Sequence, residues 1–296
     1  MKKLYVLLVV AAGALWGVIG YFVRELQSQG LTSMQIVCIR MAVSAVVFSL
    51  FALIFKRKLF KIKLKDLWCF LGTGVLSVAT FSFCYFKAIE YSSLSMASIL
   101  LYTAPIFVML FSVILFKEKL TLIKVVSLIL AFLGCLFVTG VFTQGVVINT
   151  IAVVFGVLSG VCYALYSIFS RLALDRGYSP LTITLYTFIF AGVASLCVIN
   201  VKPVADVMTK SVQSFGFCVL FAIISCVLPY VCYTVGLKKV RPSTASIVAS
   251  IEPVVATITG AIIFSEAVTF PYGYIGIALV ILSIVLINLN TKKAHE

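Results

Sequence analysis

The chain has 296 residues, of which 63% are hydrophobic and only 11% charged. Water-soluble domains sit near 45–50% apolar and about 25% charged, so this composition belongs in lipid and excludes an ordinary soluble fold. A formal net charge of +14 would suggest nucleic acid in a soluble protein, but these charges lie between apolar runs, where they read as topology signals, and no nucleic-acid partner is expected.

Apolar runs of about 20 residues, long enough to span a bilayer, are predicted at 4–22, 33–55, 67–87, 92–116, 121–141, 149–170, 180–201, 214–237, 242–264 and 270–290. Met1-Lys2-Lys3 ahead of the first run mimics a signal peptide. The run is long enough to span and no Ala-x-Ala site follows, so it reads as an uncleaved first helix. Counted on alternate sides of these spans, 18 of the 23 Lys and Arg residues fall on one side, including Lys2, Lys3, the six of the 56–65 loop, Lys117, Lys124, Arg171 and Lys238. The other side receives Arg24, Lys87, Lys202 and Lys210. The positive-inside rule then places both termini, and the tail 291–296, in the cytoplasm of a bacterial-type plasma (inner) membrane. The basic loop 56–65 can also touch anionic headgroups, although its role as a topology signal suffices.

One stretch occurs twice. Residues 97–121 and 245–269 align at a separation of 148, pairing Ala97 with Ala245, Pro105 with Pro253, Phe116 with Phe264, Glu118 with Glu266 and Thr121 with Thr269. Tyr85 matches Tyr233 at the same separation, and Gly13, Trp16 and Arg24 match Gly160, Tyr163 and Arg171 at 147. Five spans per copy force the copies to enter the membrane from opposite sides. The expected fold is an all-α membrane protein of ten transmembrane helices in two inverted five-helix repeats, 1–141 and 149–290. Inverted repeats are a transporter architecture, because exchanging the conformations of the two halves turns the protein inside out.

With these motifs the chain resembles the drug/metabolite transporter superfamily, specifically its ten-helix EamA-type members. The resemblance rests on the duplicated Ala-Ser-Ile…Pro…Phe-x-Glu-x-x-Thr blocks, Trp16-Gly17, Arg40, and the Tyr85…Ala88-Ile89 end of the third span. It implies a two-repeat bundle with a central cavity, working by alternating access without ATP hydrolysis, for a small solute such as an amino acid, amine or nucleoside. No Walker-type glycine loop occurs, in keeping with that picture.

Glu252 is the sharpest site candidate. It lies near the middle of its span, directly before Pro253, where a carboxylate costs on the order of 2.5–3.5 kcal/mol. Its twin is Ala104, so the duplication did not require an acid there. A proton-coupling group, a cation receptor, or a protonated glutamate bonded to a neighbouring helix all fit. Arg40, the one unambiguous base inside a span, reads as a gate or charge partner of Glu252, or as a snorkelling or capping group. Pro105 and Pro253 are expected to kink their helices and free the carbonyls of Leu101 and Ala249, beside a cavity wall. Trp16, Tyr85, Tyr102, Tyr163 and Tyr233 are candidate substrate-binding aromatics, whereas Trp68 and Tyr272 read as interfacial anchors. Gly13-x-x-x-Gly17 and Gly156-x-x-x-Gly160 read as close-packing faces. Glu118 and Glu266 read as structural carboxylates near helix N-termini.

The nine cysteines fall in apolar runs with no Cys-x-x-Cys pair, and the single histidine, His295, is in the tail, so no metal or cofactor is expected. A membrane-embedded enzyme would need paired acids or a His-containing cluster, which the spans lack. The leading expectation is a secondary active transporter exporting an amino acid or related metabolite, with protons as a coupling partner through Glu252. The alternative is uptake of a small amine or quaternary ammonium compound such as choline, with Glu252 and the aromatics as its cation site. Partners are the small-molecule substrate and the bilayer, for a monomer or homodimer.

Overall fold

The computed structural model describes residues 2–140 and 149–293. The last residue of the expected fifth span, 141, and the end of the tail with His295 lie outside them. Among the described residues the structure is helical without strands. Eight helices are long and apolar enough to cross a membrane: α1 Lys3–Ser28, α2 Ser33–Phe55, α3 Leu64–Tyr91, α4 Leu94–Phe116, α6 Thr150–Asp175, α8 Val212–Leu237, α9 Pro242–Phe264 and α10 Tyr272–Leu289. Two further apolar helices are shorter, α5 Leu122–Val138 and α7 Pro180–Leu196. Helix α7 stops five residues before the expected 201 because the chain turns at Asn200, whose side-chain oxygen accepts from the Lys202 amide, and enters the short helix Lys202–Thr209.

Polar residues at the predicted boundaries start the helices. Thr32 and Gln35 form a capping box ahead of α2, and the Ser93, Thr121, Asn149 and Ser179 side chains accept from first-turn amides of α4, α5, α6 and α7. In between, large apolar side chains such as Leu7, Ile54, Ile114 and Ile262 stay exposed on the outside of the bundle. That surface suits hydrocarbon rather than water. Of the nine free cysteines seven are buried, as expected, but Cys197 is exposed, because α7 ends just before it.

The sequence duplication is written into the backbone. Lys117 and Ser265, twins at 148, are both left-handed (φ 51° and 54°), and the amides that follow bond back to Ser112 and Gly260, also twins. Gly30 and Gly177, twins at 147, close α1 and α6 with φ 86° and 85°, a conformation open to glycine at little cost. Both α3 and α8 contain a stretch of widened π-type turns, at Gly72–Ala79 and Ile223–Val227, which overlap after the same shift. Both α4 and α9 are broken. One stops at Leu101 and restarts at Ala104, and the other stops at Ala249 and restarts at Glu252. Pro105 and Pro253 therefore do not kink continuous helices, as expected from sequence. They sit in the first turn of a second half-helix, where a missing N–H costs nothing.

The halves pack reciprocally. Helix α1 lies against α8 and α9, while its twin α6 lies against α3 and α4, and α2–α7, α4–α9 and α5–α10 meet as twin pairs. The glycine faces carry the tightest of these contacts. A Cβ on Gly13 would stand 2.8 Å from the Ala249 carbonyl oxygen, and one on its twin Gly160 would stand 3.0 Å from the Leu100 carbonyl oxygen. Each glycine thus rests against the broken helix of the opposite half.

Candidate functional site

Both breaks face the middle of the bundle. Glu252 opens the second half of α9, where the N-terminal dipole of that half-helix favours a carboxylate. Its Oε2 accepts from the Tyr163 hydroxyl at 3.5 Å, a long hydrogen bond. The Tyr85 and Tyr102 hydroxyls are also within electrostatic reach of this carboxylate. Arg40, from α2, lies on the wall of the same cavity. Its Nε is buried without a hydrogen-bond partner, while Tyr230 and Cys226 lie beside the guanidinium. No ion pair within 4.0 Å joins Arg40 to Glu252, so the close pairing considered from sequence is not formed.

The cavity encloses about 460 Å³, within the range of small-molecule sites. Of the residues singled out in the sequence, Glu252, Arg40, Trp16, Tyr85, Tyr102 and Tyr163 line it. Tyr233 does not. It stands behind the wall, 5.5 Å from Trp16 between ring centres, with its hydroxyl bonded to Ser167 at 2.8 Å. The twins Trp16 and Tyr163 meet at 6.3 Å, and with Tyr230, 5.4 Å from Trp16, they form an aromatic floor. Beside that floor lie two voids of about 10 and 20 Å³, each about the size of one water.

Phe81, Ser98 and Tyr230 are among the wall residues that the sequence reading did not single out. Phe81 lies one turn before Tyr85, packs on it at 6.0 Å, and follows from extending the Tyr85 helical face. Ser98 bonds the Tyr85 hydroxyl at 2.9 Å. Tyr230 precedes Tyr233 by three positions and takes the place at the wall that Tyr233 was given. The cavity reaches the surface at the end of α1, where Arg24 pairs with Glu266 at 2.6 Å, both side chains about half exposed. At the other end of the bundle Glu118, the twin of Glu266, is buried: its Oε2 accepts from Lys124 Nζ at 2.8 Å and from the Ser243 hydroxyl. A side-chain ion pair, rather than a helix N-terminus, holds it. The arrangement is a solute-sized chamber with Arg40 and Glu252 as the charged groups of its interior and Arg24 and Glu266 at its mouth, open toward one end of the helices. Among the described residues no cluster of His, Cys, Asp and Glu could hold a metal.

The EamA-like transporter family matches residues 3–140 and 150–289, one match on each copy of the duplication. The chain belongs to the EamA-like transporter family. It is a multi-pass membrane protein and a member of a family of transporters, as the resemblance implied. Among its relatives is an uncharacterized transporter of Archaeoglobus fulgidus, 28% identical and covering 91% of this chain and 92% of its own. An uncharacterized transporter of Clostridium kluyveri is 24% identical over 100% of this chain and 96% of its own. The uncharacterized transporter YyaM of Bacillus subtilis is 28% identical, covering 74% and 72%. A crystal structure at 15% identity superposes over the whole of both chains with a TM-score of 0.79, which carries the fold alone.

Proposed function

We propose that this EamA-family protein is a secondary active transporter that moves a zwitterionic amino acid or a closely related metabolite by alternating access. The carrying observation is that Arg40 and Glu252 share the wall of one solute-sized cavity, within electrostatic reach of each other but with no direct ion pair between them. A zwitterion offers a carboxylate to the first and an ammonium to the second, and satisfies the Arg40 Nε that otherwise lacks an acceptor. The aromatic walls cover an apolar side chain.

Ten spans in two inverted five-helix repeats, 1–141 and 149–290, fit this reading. The end of α1 meets the end of α9 at Arg24–Glu266, and the end of α4 meets the start of α9 at Glu118–Ser243. The second contact supports an α9 that runs in the sense opposite to α4. With the basic residues placed inside, both termini are cytoplasmic in a bacterial-type inner membrane, and the chamber opens outward. Glu252 is the group that would couple transport to protons, and the imposed gradients set the direction, export being the leading expectation.

Uptake of an amine or quaternary ammonium ion is the second reading, favoured by the aromatic surfaces beside Glu252. The Arg40 charge in the same chamber weighs against it. A thermal-stability screen of the detergent-purified protein separates the two, using amino acids, their decarboxylated amines, quaternary ammonium ions and neutral isosteres. A zwitterion at 100 times its Kd should stabilise by about 2.7 kcal/mol. That stabilisation should be lost in Glu252→Gln, and the amine lacking the carboxylate should give little. Stabilisation by amines and quaternary ions alone would reject the zwitterion in favour of the second reading.

A further inference from the structure

The two halves repeat in sequence but differ in state, and the difference is concentrated at Glu118 and Glu266. Near the closed end, Glu118 joins Lys124, six residues on, to Ser243 at the start of α9, with the carboxylate and ammonium only 5% and 7% exposed. A second tie lies in the same region, where Arg171 Nη1 donates to the Leu237 carbonyl at 3.0 Å. Each of these residues has a twin at the open end: Glu266 for Glu118, Ser95 for Ser243, Arg24 for Arg171 and Ile89 for Leu237. There Arg24 and Glu266 bond each other at the chamber mouth and remain 49% and 51% exposed, while Ile89 lines the chamber.

The geometry points to Glu118 and Glu266 as alternating latches of the two faces. Resting on the alternating-access reading, this adds residues outside the chamber floor as the ones that hold each face shut. In the opposite state the Arg24–Glu266 pair separates. Glu266 then closes onto Ser95 of α4, and Arg24 donates to the Ile89 carbonyl, while Glu118 releases Ser243. The latches are unequal. The position six residues after Glu266 is Tyr272 rather than a lysine, so the mouth latch lacks the buried ammonium that Glu118 has. A charge-assisted bond is stronger than a neutral one, which accounts for a molecule at rest with the Glu118 face shut.

Hydrogen–deuterium exchange on the purified full chain tests this without labels. Ser243→Ala removes one bond from the shut latch, leaves the Lys124 ion pair, and keeps the test available if Glu118→Gln fails to fold. Either variant should raise exchange at 117–124 and 238–246 and lower it at 24–33 and 89–98, by about tenfold in the underlying equilibrium. Faster exchange at the first two segments with no slowing at the other two is local loosening and overturns the latch. Ser95→Ala should slow solute flux in proteoliposomes and leave exchange at 24–33 as fast as in the unmodified chain or faster. Slowing there overturns the proposal as well. Flux of zwitterions through the unmodified protein is read separately. No flux together with the expected exchange pattern sinks the transport reading and retains the latch, whereas flux with unchanged exchange in the variants sinks the latch alone.

Discussion

Arg40→Met is expected to weaken zwitterion binding by about 10–100-fold in a protein that still folds. The guanidinium has Cys226 and Tyr230 beside it, but its buried Nε has no acceptor. The same charge gains its acceptor only when a carboxylate enters, and a hydrogen bond to a charged group contributes about 1.5–3 kcal/mol, hence the factor in affinity. Calorimetric titration with an amino acid and with its decarboxylated amine isolates the effect, since only the first should respond to Arg40→Met. A destabilised Arg40→Met protein with unchanged affinity for both ligands would make Arg40 a structural tie to Cys226 and Tyr230.

How far the sequence led can be judged residue by residue. The limits of α2 and α9 coincide with the expected 33–55 and 242–264, because each is framed by local chemistry: the Thr32–Gln35 capping box, and Pro242 in a first turn. The pairing of breaks at 101–104 and 249–252 was legible as paired prolines, since proline acts on its own turn. What the sequence left open was set by contacts between distant helices. Arg40 and Glu252 share a wall because α2 and α9 both border one chamber, and no local pattern carries that information. Tyr230 rather than Tyr233 lines the cavity for the same reason: both sit on α8 and pack on Trp16, and only the packing between helices decides which one reaches the wall. Glu118 read as a structural carboxylate near a helix N-terminus, and the partners it has, Lys124 and Ser243 on another helix, were not legible from its own turn.

Gly17→Ala is expected to cost about 1–3 kcal/mol of stability and to abolish zwitterion binding even in the protein that remains folded. A Cβ at this position would stand 2.6 Å from the Glu252 carbonyl oxygen, 2.7 Å from Val255 Cβ and 2.9 Å from the Ala256 amide nitrogen. Two of those three atoms are backbone, at the start of the half-helix that carries the carboxylate, and they cannot rotate aside. The insertion must therefore push α1 and α9 apart, at the cost typical of an overpacked core. Because Glu252 begins that half-helix, the displacement moves the ammonium receptor relative to Arg40, and a zwitterion of fixed length then loses one of its two anchors. Gly216→Ala is the matched control. It lies within α8 with nothing within 4 Å of an added Cβ, so it should be neutral or stabilise by up to about 1 kcal/mol through helix propensity alone. Melting curves with and without an amino acid, recorded for both variants, give the comparison. A Gly17→Ala protein that melts and binds like the Gly216→Ala control would mean that α9 yields at its break and that the spacing between Glu252 and Arg40 does not govern recognition.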